Sequence, residues 1–305
     1  MKRIFVLSVL VCMSLAMGGA AFAGHGSYTN GVEGIGAATA PPEGIYYRMY
    51  NVYYTANQLK DNNGKSPGDF RANVYAMANR FIYSSPIDFL GGKLVFDAVI
   101  PLVYSKLYYK LDGGDKVMDA DRFNLGDILL EPLIVSWHGE RWDAVAALGV
   151  FLPTGEFRDP RNSLRHAADP GKGFWSFMGS LGGTVYLDQE KTWSASILAR
   201  YEIHTEQQYT HTTPGNDFHF EWGIGKTINK VFTLGVAGYC SWQTTRDYGK
   251  LAVNDYREQL YAIGPEIGFT IPDWNLLVSL RTLVEFENRN APQGVSTILT
   301  LTKAF

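Results

Sequence analysis

The sequence predicts an all-β fold: a single antiparallel transmembrane β-barrel of about twelve strands, of the outer-membrane type. Three observations carry this expectation. Long stretches alternate strictly between apolar and polar residues, the connections between them alternate between short and long, and the first residues read as a secretory signal.

Lys2 and Arg3 precede an apolar run from Ile4 to Met17, and small residues then lead to Ala21-Phe22-Ala23. A basic start, a short apolar core and an Ala-x-Ala site define residues 1–23 as a signal peptide cleaved before Gly24. Cys12 leaves with it, so the mature chain keeps Cys240 alone and forms no internal disulfide. Residues 24–44, GHGSYTNGVEGIGAATAPPEG, are rich in Gly and Ala and do not read as a strand. They are expected to form a periplasmic extension or a plug, and they match no GxGxxG nucleotide loop. Residues 45–305 carry the barrel.

Alternation is cleanest in WNLLVSLRTLVEFEN. There Leu276, Val278, Leu280, Thr282, Val284 and Phe286 form one face, and Leu277, Ser279, Arg281, Leu283, Glu285 and Glu287 the other. TWSASILARYEIH sets Trp193, Ala195, Ile197, Ala199, Tyr201 and Ile203 against Ser194, Ser196, Leu198, Arg200, Glu202 and His204. Ordinary strands run about five or six residues; a tilted membrane strand needs roughly nine to eleven. Strands are expected near 45–58, 70–83, 92–110, 123–138, 141–153, 173–187, 191–204, 217–228, 231–246, 256–271, 274–287 and 294–305. FRANVYAMANRF has no clean face, and Pro132 and Pro265 each remove a ladder hydrogen bond from their strands. The last stretch, GVSTILTLTKAF, keeps the period of two to the carboxyl terminus, as a barrel-closing strand would.

Short connections (HGER, DQEK, NK, PDW, and the longer SSPIDFLGG) alternate with long polar ones such as TGEFRDPRNSLRHAADPGK and TEQQYTHTTPGN. Short turns belong on the periplasmic side and long loops outside; an even strand count puts both ends of the barrel in the periplasm. Trp137, Trp142, Trp193 and Trp274 sit beside short turns, where an aromatic girdle is expected, and Trp175 and Trp242 lie toward the opposite ends. With 46% hydrophobic, 14% aromatic and 19% charged residues the chain is not disordered, and a net charge of -3 gives nucleic acid no footing. A mean hydropathy of -0.10 fits strands that face lipid and lumen by turns.

With the apolar face outward, the inward face carries Asp97, Asp127, Glu131, Asp143, Arg200, Glu202, His204, His219, Glu221, Glu266, Arg281, Glu285 and Glu287. A lumen lined by both signs stays hydrated and suits passage of a small solute. Arg200, Glu202, His204, His219, Glu221, Arg281, Glu285, Asp127 and Glu131 are the expected lumen lining. Glu202-x-His204 and His219-x-Glu221 sit on strands joined by an outer loop, where pairing would bring two His and two Glu together near the outer mouth. Two alternatives to a channel therefore stand: a membrane-embedded hydrolase at that mouth, which needs a nearby Ser, and a non-conducting scaffold barrel. No cofactor, metal or catalytic residue is assigned. The expected partners are a small-molecule solute, outer-membrane lipid and the outer-membrane assembly machinery, which reads the last strand ending in Phe305.

EGIGAATAPPEGIYYRMYNVYY, LGDILLEPLIVSW, and FLPTGEFRD followed by GFWSFMGSLGGTVYLD resemble the outer-membrane proteins grouped with the meta-pathway of phenol degradation. The likeness covers most of the mature chain. It implies a barrel in the outer membrane of a Gram-negative bacterium that takes up small, hydrophobic or aromatic, compounds, and it brings no catalytic residues with it. One departure lies at Lys303, where such chains usually place an aromatic or apolar residue two before the terminal Phe; a Lys there can snorkel to the interface.

Overall fold

The computed structural model describes residues 26–111, 116–250, 252 and 257–305; the signal peptide lies outside the described residues. The strands are β1 (Gly44–Leu59), β2 (Gly68–Phe89), β3 (Gly92–Leu111), β4 (Lys116–Leu125), β5 (Ile128–His138), β6 (Trp142–Leu152), β7 (Ser176–Tyr186) and β8 (Trp193–His204). They continue as β9 (Thr212–Thr213), β10 (Asp217–Ile228), β11 (Phe232–Gln243), β12 (Tyr248–Gly249), β13 (Gln259–Ile271), β14 (Leu276–Arg289) and β15 (Pro292–Ala304). Every wall pairing is antiparallel between chain neighbours, and β1 closes on β15 from Tyr46↔Ala304 to Leu59↔Pro292. The closing role expected of the last stretch is met, and no edge strand is left at the seam. The two-residue strands β9 and β12 pair with each other and tie two outer loops together.

The expected fourth strand is divided. β3 pairs with β4 along its outer half and with β5 along its inner half, so two segments share one of twelve wall positions. Gly126 and Asp127 fill the break, and the Gly126 amide donates to the carbonyl of Pro101 on β3 at 2.9 Å. The far edge of β4 is covered by the loop after β6. Arg122 and Asn124 hold Glu156 there, and a 3-10 turn at Leu164–Ala168 packs Ala167 and Ala168 out of solvent. Pro132 lies at a register shift in β5, where a missing N–H costs no ladder bond, and Pro265 faces outward on β13.

The outer wall is apolar. Leu148, Leu181, Ile197, Ile224, Val236, Ile263, Val284 and Leu299 are exposed around its middle, an apolar belt far larger than a soluble monomer leaves uncovered. Trp142, Trp193 and Trp274 are exposed at the short-turn end and Trp175 at the other, two girdles at the expected heights. The Lys303 ammonium reaches the Trp274 carbonyl at 2.5 Å and so stays at the rim. Arg200, Glu202, Glu221, Arg281 and Glu285, in regular ladders, are buried. Glu287 is the exception: it adopts a positive φ of 52°, the β13–β14 ladder shifts there, and its side chain is exposed while Asn288 is buried instead.

Residues 26–43 run inside the barrel without regular structure, with turns closed by Ala37 N to Gly34 O and Thr39 N to Gly36 O. Their Gly and Ala content follows from how close they come to the wall. Ile35 occupies a recess left by Gly223, Gly225 and Gly235, where any added Cβ would fall within 2.8 Å of it. A Cβ on Gly34 itself would overlap the Glu266 carboxylate. Small residues at these places are a packing requirement.

Candidate functional site

Halfway along the lumen the strands present a belt of charges: Arg48 from β1, Arg80 from β2, Asp97 from β3, Glu131 from β5, Arg200 from β8, Glu221 from β10, Glu266 from β13 and Arg281 from β14. Each sits mid-strand on the inward face, because successive side chains alternate across the wall. The N-terminal segment threads this belt and completes it with Glu33. Arg80 donates to Asp97 at 2.8 Å, to Glu33 at 2.8 Å and to Glu131 at 3.1 Å. Arg48 meets Glu33 at 3.2 Å, and the Tyr50 hydroxyl meets it at 2.5 Å. Burial alone would raise the Glu33 carboxyl, but Arg48, Arg80 and the Tyr50 hydroxyl hold it down at about 2.

The segment's backbone is satisfied by wall side chains. Ser27 and Tyr28 amides donate to Glu202 at 2.8 and 3.2 Å, Glu33 N to Glu221 at 3.2 Å, and Ile35 N to Glu266 at 2.9 Å. Arg281 bonds Glu266 at 2.9 Å and donates to the carbonyls of Gly31 and Val32. The Tyr28 ring lies 3.8 Å under the Arg200 guanidinium and stacks on His219 at 5.0 Å, with its hydroxyl on Glu221 at 3.0 Å. A strand-free backbone inside a barrel needs such partners.

Above the belt the lumen is apolar along β1 to β3 and β13 to β15, and polar along β8 and β10, where Glu202, His204, Asp217 and His219 are buried. Val52, Phe70, Val74, Leu107, Tyr109, Leu260, Leu283 and Ile298 line its outer half and are buried. Three cavities surround the N-terminal segment. One of about 90 Å³ lies on the outer side, walled by Val52, Ala76, Val99, Pro101, Leu129 and Phe151, with Tyr28 and Asp127 at its edge. One of about 60 Å³ lies inward between the segment and β2, β3, β5 and β6. The third, about 210 Å³, is lined with hydroxyls from Thr227, Thr233, Ser279, Thr300 and Thr302. Glu33 lines all three.

The expected lining residues take distinct places. Arg200, Glu221, Glu131 and Arg281 are in the belt, and Glu202 holds the segment's entry. Asp127 accepts the amides of Gly155 and Lys172, each at 2.9 Å. Glu285 sits higher and accepts from Tyr54 at 2.8 Å, Tyr239 at 2.5 Å and Gly294 N at 2.7 Å. The two histidines do not meet as the spacing suggested, because the register sets Glu202 against Asp217 and Arg200 against His219. Among the described residues no group of three or more ligating side chains could hold a metal.

His204 does meet a serine: its Nδ1 lies 2.8 Å from Ser176 Oγ and its Nε2 3.0 Å from Asp217. Serine, histidine and acid follow one another as in a hydrolase, but with the ring nitrogens exchanged, since a hydrolase sets Nε2 on the serine and Nδ1 on the acid. Here Ser176 has no exposed surface and its hydroxyl is also bonded to Ser27 at 2.6 Å, so the row fastens the N-terminal segment and leaves no room for an acyl group. Glu33, Arg48, Arg80, Tyr28 and Tyr50, the centre of the site, were not among the expected residues. Arg48 and Arg80 sit in strands of poor alternation, and Glu33 and Tyr28 lie in a segment without strand pattern.

Comparison with known proteins is consistent with this architecture. An outer-membrane channel from Pseudomonas putida F1 superposes with a TM-score of 0.71 at 12% identity, over 88% of this chain and 97% of that one. The transport unit of the autotransporter AIDA-I from Escherichia coli superposes with a TM-score of 0.51 at 11% identity, over 98% of each. At such identities the likeness speaks for the fold alone. A search of curated proteins finds no match. The family described as "Putative MetA-pathway of phenol degradation" matches residues 56–301, most of the barrel. The chain belongs to that family.

Proposed function

We propose that this protein is an outer-membrane channel for uptake of small, apolar, mainly aromatic molecules, with residues 26–43 as its gate. The carrying observation is the division of the lumen: along β1 to β3 and β13 to β15 its outer half has a continuous apolar lining, and this lining ends at a charged belt through which the N-terminal segment is threaded. An apolar solute loses no favourable hydration on entering such an outer half, whereas a hydrophilic one does. A filled lumen is also what a non-conducting scaffold would have. Cavities strung along both sides of the segment, however, serve no scaffold purpose and give a displaced segment somewhere to go. The family description points the same way, toward aromatic compounds. The exposed apolar belt would contact outer-membrane lipid, and the strand ending at Phe305 would be the one the assembly machinery reads.

The test is uptake of a small aromatic such as toluene by a porin-depleted Gram-negative host, whose lipopolysaccharide leaflet slows passive entry. Expression of the full chain should raise uptake, and removal of residues 26–43 should raise it further and admit ions. Uptake equal to that of cells without the protein, in both forms, would overturn the channel reading.

A further inference from the structure

We propose that the inner cavity beside Asp97 and Ser180 is a selective subsite, which receives the hydrogen-bond donor of an uncharged aromatic solute and turns away aromatic carboxylates. The inference rests on the channel reading and adds to it the charge and polarity of what passes. Part of the cavity's wall is apolar, from Ile82, Val95, Ile134, Val145, Ala147 and Leu198, and part is charged, from Glu33, Arg48, Arg80, Asp97, Glu131 and Arg200. Two polar atoms in this lining stand out. Asp97 Oδ1 and Ser180 Oγ are both buried and take no bond from an N–H or hydroxyl group, although the other oxygen of Asp97 takes two bonds from Arg80 and the Asp97 carboxylate also meets the Glu131 carboxyl. Unpaired buried polar atoms are rare and costly, and here an acceptor and a hydroxyl line one small space. A solute O–H could donate to Asp97 Oδ1 and its oxygen could bond Ser180. A hydrocarbon satisfies neither atom.

Charge argues against anions. Each guanidinium of the belt already faces a carboxylate: Arg48 on Glu33, Arg80 on Glu33, Asp97 and Glu131, Arg200 on Glu221, Arg281 on Glu266. Arg48, Arg80 and Arg200, which line the inner and outer cavities, are thus each already held by an acid. Four acids (Glu33, Asp97, Asp127, Glu131) line the outer and inner cavities, against three bases (Arg48, Arg80, Arg200). Both cavities are lined by Glu33, Arg80, Glu131 and Arg200, so a solute moving from one to the other passes these four and meets Asp97 in the inner one. The inner space of about 60 Å³ is smaller than the roughly 150 Å³ known to hold benzene. The ring would therefore use room vacated by Ala37–Ala40 as the segment shifts.

Phenol, toluene and benzoate, offered to the same host at neutral pH, separate the possibilities. Phenol should enter faster than toluene, and benzoate should be excluded. Ser180→Ala should cut the phenol-to-toluene ratio roughly fivefold, the worth of one hydrogen bond of about 1 kcal/mol. Asp97→Asn, with barrel folding checked by circular dichroism, should let benzoate in. Titration calorimetry of the detergent-solubilised protein with the three compounds gives a second readout independent of transport: phenol should bind, weakened by Ser180→Ala, and benzoate should not. Equal rates for phenol and toluene that ignore Ser180→Ala, or benzoate bound as well as phenol, overturns the subsite while leaving the channel standing. If toluene does not enter at all, the channel reading fails, and the calorimetric comparison alone decides the subsite.

Discussion

The Glu33 carboxylate of the N-terminal segment lies 2.8 Å from the Arg80 guanidinium of β2, inside the barrel and screened from both mouths. That pair joins the N-terminal segment to the wall, and the two residues answer differently to mutation. Arg80 keeps Asp97 and Glu131 if Glu33 is lost, whereas Arg48 loses the acid it is paired with. Glu33→Ala should therefore free the segment and leave the wall intact. Removing one partner of a buried pair costs on the order of 3–5 kcal/mol, here charged to seating the segment. Single-channel recordings in planar bilayers should show larger or more frequent openings than the wild type, and identical traces would remove Glu33 from the gate.

The same carboxylate sets a pH window. Its value in the folded protein is about 2, below the ordinary 4.5, so its contribution is complete above the unfolded value and is lost as pH falls from about 4.5 through about 2. The gate should stay seated at neutral and mildly acid pH and loosen only in strong acid. Conductance measured down the pH scale should remain flat to about 4 and rise below it; a rise between pH 7 and 5 would take the window away from Glu33.

Strand positions were legible in the sequence because each one meets two solvents, lipid and lumen, and this imposes a period of two that nothing else in the chain imitates. The division of the fourth strand was not. Leu125-Gly126-Asp127 interrupts the ladder through contacts with Pro101 and the loop after β6, partners too distant in sequence for a local pattern to mark. The site was half legible. Arg200, Glu221, Glu131 and Arg281 followed from alternation, while Glu33 and Tyr28 act from a segment with no period. Its glycines were noticed, but the reason for them, Ile35 against Gly223, Gly225 and Gly235, exists only once β10 and β11 pair.

That recess supplies a separate test. A side chain at Gly225 would begin 2.7 Å from Ile35 Cδ1, closer than carbon atoms approach. Gly225→Val should push Ile35 and its neighbours out of place without disturbing β10, since valine favours strands. Limited proteolysis of the refolded barrel should then cut within residues 26–43, where the wild type resists.

Ser176→Ala bears on the row through His204. If the row is a fastening, the variant loses one hydrogen bond to Ser27 and one to His204, about 1–2 kcal/mol between them, and the segment is cleaved faster by protease. Ester or peptide hydrolysis by the wild type that disappears in the variant would instead restore an enzymatic role.

The membrane position of the wall can be tested at Leu181. It is 67% exposed, lies at the middle of β7 and pairs with Ala146 and Ala199, so it faces outward at half height. Arginine at the midplane of a lipid-facing barrel surface costs about 2–4 kcal/mol, while on a water-facing surface it costs nearly nothing. Leu181→Arg should lower the stability measured by urea unfolding in phospholipid vesicles by that amount, whereas Glu190→Ala, exposed in a short turn, should leave it unchanged. Equal stability of the two would mean that water, and not hydrocarbon, covers the belt.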